Sequence, residues 1–128
     1  MTRVTRHTDL EVYKKAFDVA MTVFELSKAF PKEETYSLTD QVRRSSRSVC
    51  TNLAEAWRKR RYENHFVSKL SDSEMEAGET QSWIQFSVAC GYLPKDTARS
   101  VYRDYDSLTK MLVTMINNPT PWLLKGKK

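Results

Sequence analysis

Residues 30–57 read FPKEETYSLTDQVRRSSRSVCTNLAEAW and run directly into Arg58-Lys59-Arg60-Arg61. The segment joins a proline turn, a helix and a basic cluster. Proline disfavours helical geometry in the residue before it, so Phe30-Pro31 ends whatever helix precedes it. Ser37 with Asp40 three residues on is an acidic variant of the capping box and opens the next helix. From there Leu38, Val42, Ser45, Val49, Leu53 and Ala56 recur at helical spacing, with Trp57 alongside, and no Gly or Pro interrupts them. Small residues crowd the middle of this helix (Ser45, Ser46, Ser48, Cys50, Thr51, Ala54), which lets a neighbouring helix approach closely.

Outward from this segment the same period continues. An upstream helix over about 9–29, with Asp9 as its cap, carries two apolar stripes: Leu10, Tyr13, Phe17, Ala20 and Phe24, and Val12, Ala16, Val19, Val23 and Leu26. One intramolecular face needs only one stripe, so the excess points to burial against another chain. Downstream, Phe66, Leu70, Ser73, Ala77, Ile84 and Val88 predict a helix over 63–90, capped by Asn64 and closed at Gly91. Glu76, Glu79 and Trp83 fall off that stripe, and an outward tryptophan is a second pointer to a subunit contact. Val101, Tyr105, Leu108, Leu112 and Met115 mark a last helix over 96–117, with Tyr102, Met111 and Ile116 widening its seam. Residues 119–128 read as a flexible tail. With 128 residues, three glycines and four prolines, the chain is expected to form one all-α domain, an antiparallel up-down four-helix bundle.

The formal charge is +5, unevenly spread. Residues 41–62 hold seven Lys/Arg against one acid, and residues 63–85 hold five acids against one base. Pairing of Arg43, Arg44 and Arg47 with Glu76 and Glu79, within the bundle or between copies, is the reading preferred for those residues, with Glu55 serving the same end. Arg58, Lys59, Arg60 and Arg61 exceed what a helix end needs from its dipole, so they are the candidates for contact with a nucleic-acid backbone. Stacking of unpaired bases on Tyr62 or Trp57 is conceivable, although Trp57 reads better as core or interface. No base-reading motif accompanies them.

Chemistry is otherwise sparse. Nucleophile-elbow, phosphate-loop and HExxH motifs are missing from the sequence, so the expectation is a protein that is not an enzyme and takes no cofactor or metal. Two cysteines 40 residues apart and two histidines cannot supply a zinc site. Asp72, Glu76 and Glu79 share a helix face and could attract a hard cation, but ion pairing is the simpler reading. No apolar run approaches the roughly 20 residues of a membrane span and the N-terminus lacks a signal-peptide core, so the expected location is cytoplasmic.

Several stretches together carry a family resemblance: Leu10-Glu11-Val12-Tyr13-Lys14-Lys15-Ala16, Phe30-Pro31-Lys32-Glu33-Glu34, Thr39-Asp40-Gln41-Val42-Arg43-Arg44-Ser45 and Asn52-Leu53-Ala54-Glu55-Ala56. Lys69-Leu70-Ser71-Asp72, Glu79-Thr80-Gln81 with Trp83, and Cys90-Gly91-Tyr92-Leu93 complete the set. Their order and spacing resemble the four-helix bundle family first noticed as reading frames inside intervening sequences of bacterial large-subunit ribosomal RNA genes. The resemblance implies a ring-shaped homopentamer without known enzymatic activity. It extends to the accessory proteins of diversity-generating retroelements, which bind a reverse transcriptase and its RNA. Where the family usually has Pro and Gly in the second helix, this chain has Cys50 and Ala56, which implies a straighter helix. The function expected is therefore an oligomeric basic scaffold for RNA or an RNA-bound protein. The alternative is a self-assembling interaction protein without a nucleic-acid role.

Overall fold

The computed structural model describes residues 3–125. Four helices, α1 (Glu11–Ser27), α2 (Leu38–Arg58), α3 (Glu63–Ala89) and α4 (Lys95–Asn117), are joined by short turns. Three 3-10 turns, His7–Asp9, Lys32–Glu34 and Thr120–Trp122, lie outside them. Each helix packs on its chain neighbour and α4 returns to α1, so α1 and α3 stand at opposite corners of the square. This is the antiparallel up-down bundle that the apolar periodicity predicts.

The closest pairing is α2 on α3, and the small residues explain it. Ser45, Ser73, Ala77 and Thr80 are fully buried along the seam. Ser73 Oγ donates to the Val49 carbonyl at 2.8 Å and Thr80 Oγ1 donates to Ser45 Oγ at 2.8 Å. Short side chains let the helix backbones approach, and the cross-helix bonds satisfy hydroxyls that would otherwise be costly to bury. Leu53, Phe66, Leu70, Leu108 and Leu112 fill the rest, with Tyr105 of α4 reaching into the centre. Burial pushes the Tyr105 phenol well above its usual range.

The helix ends differ from expectation in instructive ways. Asp9 does not cap α1: its carboxylate accepts the backbone N–H groups of Thr5 and Arg6, each at 3.0 Å, and so closes the preceding 3-10 turn. Those two bonds, Thr5 first, hold its carboxyl below the ordinary value. Ser37 with Asp40 forms no capping box; Glu34 instead accepts the Leu38 N–H at 3.2 Å and the Ser37 hydroxyl. The 3-10 turn over Lys32–Glu34 brings that carboxylate under the helix end, which periodicity alone does not reveal. Tyr62, not Asn64, occupies the cap of α3. At its other end Gly91 takes φ +81°, the Tyr92 N–H bonds to the Ser87 carbonyl and the Gly91 N–H to that of Val88. That pair is a Schellman closure, and the left-handed backbone there favours glycine.

Tyr92 ties the two turns at this end together, its hydroxyl donating to Glu34 at 2.8 Å. The bond to Glu34 is the main reason the phenol is pushed up to about 12, with burial second. The Ser37 and Tyr92 hydroxyls hold the Glu34 carboxyl down. The two shifts act in different pH windows. Stability from the depressed Glu34 is present above the unfolded carboxyl value and lost as pH falls through its lower folded value. Stability from the raised Tyr92 is complete below about pH 10 and lost as pH rises toward the folded value. A wild-type-minus-Tyr92→Phe difference titration of tyrosinate absorbance is expected to centre on about 12. A midpoint at the ordinary phenol value would refute the bond.

On α1 the stripe of Val12, Ala16, Val19 and Val23 is the core, joined by Leu10 and Ala20. From the other stripe Phe17 is 49% exposed, while Tyr13 and Phe24 are half-buried; Met21, on neither stripe, is 45% exposed. Over its described part the tail packs against the bundle. Pro119 is buried, Trp122 and Leu123 pack on the core, and the Leu124 N–H donates to the Arg60 carbonyl at 3.2 Å. The tail residues 126–128 lie outside the described residues.

Candidate nucleic-acid interface

The C-terminus of α2 and the turn to α3 present the four consecutive cations, but they do not act alike. Arg58, Lys59 and Arg61 are exposed and form no ion pair within 4 Å of a described carboxylate. Arg60 turns inward. Its guanidinium lies 3.4 Å from the centre of the Trp57 ring, and its Nε donates to the Trp57 carbonyl at 2.7 Å. Desolvation there lowers its pKa. Arg60 therefore covers the buried Trp57 and holds the tail through its carbonyl, leaving three of the four cations unpaired among the described residues. Trp57, 9% exposed, is no platform for bases. Tyr62 is 59% exposed and meets His65 edge to face at 5.3 Å.

Antiparallel connectivity brings the chain's two ends to this same end of the bundle. The first 3-10 turn packs on both α1 and α2, and Val4, Leu10 and Trp122 line one cleft there. Residues 3–9, 58–65 and 118–125 together hold seven Lys/Arg against two acids. The opposite end, residues 28–37 and 89–96, holds three of each. Positive charge is thus concentrated at one end, with Arg3, Arg6 and Lys125 joining the cluster that the sequence shows at 58–61. Sequence reasoning missed these three because only the chain path makes them neighbours.

The helix-pairing charges resolve differently from expectation. Of the three α2 arginines only Arg44 meets an acid of α3, Glu79, at 2.6 Å. Trp83 Nε1 donates to the same carboxylate at 3.3 Å, and the ring packs half-buried on its own bundle, less outward than its helical angle predicts. Arg43 donates through Nε to Ser27 Oγ at 2.7 Å and lies 4.8 Å from the Phe24 ring, with Arg47 5.6 Å from the same ring. They cannot reach α3 because they sit on the α1 flank of α2. Glu76 pairs with none of them, and one of its carboxylate oxygens is buried without a partner. Glu55 finds Lys69 at 2.7 Å, a partner not foreseen; this bond lowers the Glu55 pKa and raises that of Lys69.

Other chemistry is thin where the structure is described. Asp72 goes to Lys69 at 3.5 Å and Glu79 to Arg44, so the carboxylates that share a face do not converge. Among the described residues no three His, Cys, Asp or Glu side chains are grouped to hold a metal. Cys50 is buried and its thiol pushed up to about 11 by desolvation, whereas Cys90 is exposed. No described helix is long and apolar enough to cross a membrane.

No curated protein matches the chain. Among solved structures it is similar to the crystal structure of a protein with unknown function from the S23 ribosomal protein family of Bacteroides thetaiotaomicron. The two share 25% identity and superpose with a TM-score of 0.76, over 84% of this chain and 96% of that one. A sequence model described as 23S rRNA-intervening sequence protein matches residues 8–114, which span all four helices almost completely. The chain belongs to the 23S rRNA-intervening sequence protein family.

Proposed function

We propose that this protein is a non-enzymatic homo-oligomeric scaffold, a ring of five copies, whose basic bundle end holds RNA or an RNA-bound protein such as a reverse transcriptase. The observation that carries the reading is the gathering of seven cations against two acids at one end, with Arg58, Lys59 and Arg61 unpaired by any carboxylate among the described residues. Unpaired exposed cations displace counterions from a phosphate backbone and gain affinity from their release. Repetition around a ring multiplies the field. Self-association is supported by apolar side chains left outside. Phe17 and Met21 face outward on α1, and Met75 (67% exposed) and Phe86 (56%) flank the small Gly78 and Ser82 on α3. These patches occupy opposite corners of the bundle, so contact of one with the other is head-to-tail, the arrangement that closes into rings.

The second reading, self-assembly alone, is favoured by Arg44–Glu79 and Lys69–Glu55, where charge serves helix pairing. One experiment separates the two. Affinity for a labelled oligouridylate is measured at 50 and 200 mM salt, alongside a light-scattering mass. About four phosphate contacts per site predict a loss of roughly fifty-fold over that range. A pentamer mass with no binding, or binding indifferent to salt, supports self-assembly alone. A monomer at micromolar concentration removes the scaffold altogether.

A further inference from the structure

Three cations surround the Phe24 ring: Lys28 at 4.9 Å, Arg43 at 4.8 Å and Arg47 at 5.6 Å. Lys28 has a counter-charge in Glu25 at 3.2 Å, but among the described residues Arg43 and Arg47 have no carboxylate within 4 Å. Two guanidinium groups one helical turn apart repel each other. The electron-rich ring face offsets part of that repulsion, and the Ser27 bond holds Arg43 in place. Their remaining N–H donors open onto a cleft of about 520 Å³ that Thr39, Ser48 and Thr51 also line. Asp40 lines the cleft too and forms no ion pair within 4 Å among the described residues. A site whose two arranged guanidinium groups and hydroxyl neighbours outweigh its one carboxylate, Asp40, suits a phosphate, which guanidinium forks recognise in two-bond geometry.

Helical geometry extends this site. At 3.6 residues per turn Arg43, Arg47, Thr51, Ala54 and Arg58 fall within an arc of about 80°, and Arg43 to Arg58 covers about 22 Å. Short residues separate the two cationic positions, and Glu55 points away to Lys69. We propose that a nucleic-acid backbone runs along this flank of α2, one phosphate bridging Arg43 and Arg47 above Phe24 and another meeting Arg58. This extends the proposed function and rests on it, adding a second anchor that the bundle end lacks.

The test is fluorescence anisotropy with a labelled 20-nucleotide oligouridylate across 50–200 mM salt, using wild type, Arg43→Gln/Arg47→Gln and Arg58→Glu/Arg61→Glu, with light-scattering masses. Loss of the one phosphate that Arg43 and Arg47 share is expected to make the salt slope of the glutamine variant shallower by about 0.7 and its affinity at about 100 mM salt roughly fivefold weaker, at unchanged mass. Arg47→Gln alone, at an exposed side chain, is expected to give half that slope change and serves should the double variant misfold. An unchanged slope in both glutamine variants, with binding lost in the glutamate variant, overturns the track and leaves the bundle-end reading standing. No binding by wild type overturns both. A changed mass assigns the arginines to contact between copies and overturns the track.

Discussion

Arg58→Glu combined with Arg61→Glu is expected to weaken RNA binding at 100 mM salt by more than about twenty-five-fold. Two lost phosphate contacts account for that factor in a single-stranded ligand, and the two introduced carboxylates add repulsion. Both side chains are exposed and without ion pairs among the described residues, so the fold should tolerate the change. A glutamate at the end of α2 opposes the helix dipole, which costs about 0.3–1 kcal/mol and leaves the far-UV spectrum intact. Arg60 provides the contrast. Arg60→Gln removes the cover 3.4 Å above Trp57 and is expected to lower the melting temperature while leaving RNA affinity nearly unchanged. If Arg60→Gln proves the more damaging to binding, the division of labour within the four cations is wrong.

The second large effect lies in the seam of α2 and α3. Ser73 is fully buried and its hydroxyl bonds across to the Val49 carbonyl at 2.8 Å. Ser73→Leu forces a branched side chain between backbones already held close and removes the bond. Overpacking and bond loss together predict about 3 kcal/mol, roughly a 10 °C fall in melting temperature for a domain of this size. Ser73→Ala keeps the spacing, leaves the carbonyl its helical partner, and should cost about 1 kcal/mol. Thermal unfolding of the pair tests whether close approach, not the hydroxyl, sets the stability of this seam. Equal losses would show that the hydrogen bond dominates.

Much of the fold is legible because α2 and α4 each carry one apolar stripe with polar flanks. The expected core residues Leu38, Val42, Val49 and Leu53, and Val101, Tyr105, Leu108 and Leu112, are all buried. On α1 two stripes compete, and periodicity cannot choose between them. The choice falls to Val12, Ala16, Val19 and Val23, whose compact side chains fit between α2 and α4, leaving Phe17 outside. Trp83 reads as outward by angle alone, yet a ring that large leans back onto the core and Glu79. Capping escaped for a related reason: Glu34 acts from a 3-10 turn whose geometry no helical period encodes. The candidate site was half-visible. Four consecutive cations announce themselves, but nothing local shows that Arg60 faces inward or that Arg3, Arg6 and Lys125 share their end of the bundle.

Charge gathered at one end and balanced at the other gives the bundle a permanent polarity along its length. Rotational symmetry about an axis parallel to the helices preserves that polarity in every copy. Any such assembly is therefore two-faced, with one electropositive rim and one neutral rim. It would settle on an anionic surface in a single orientation, leaving the face that carries Tyr92 and Cys90 turned toward solvent.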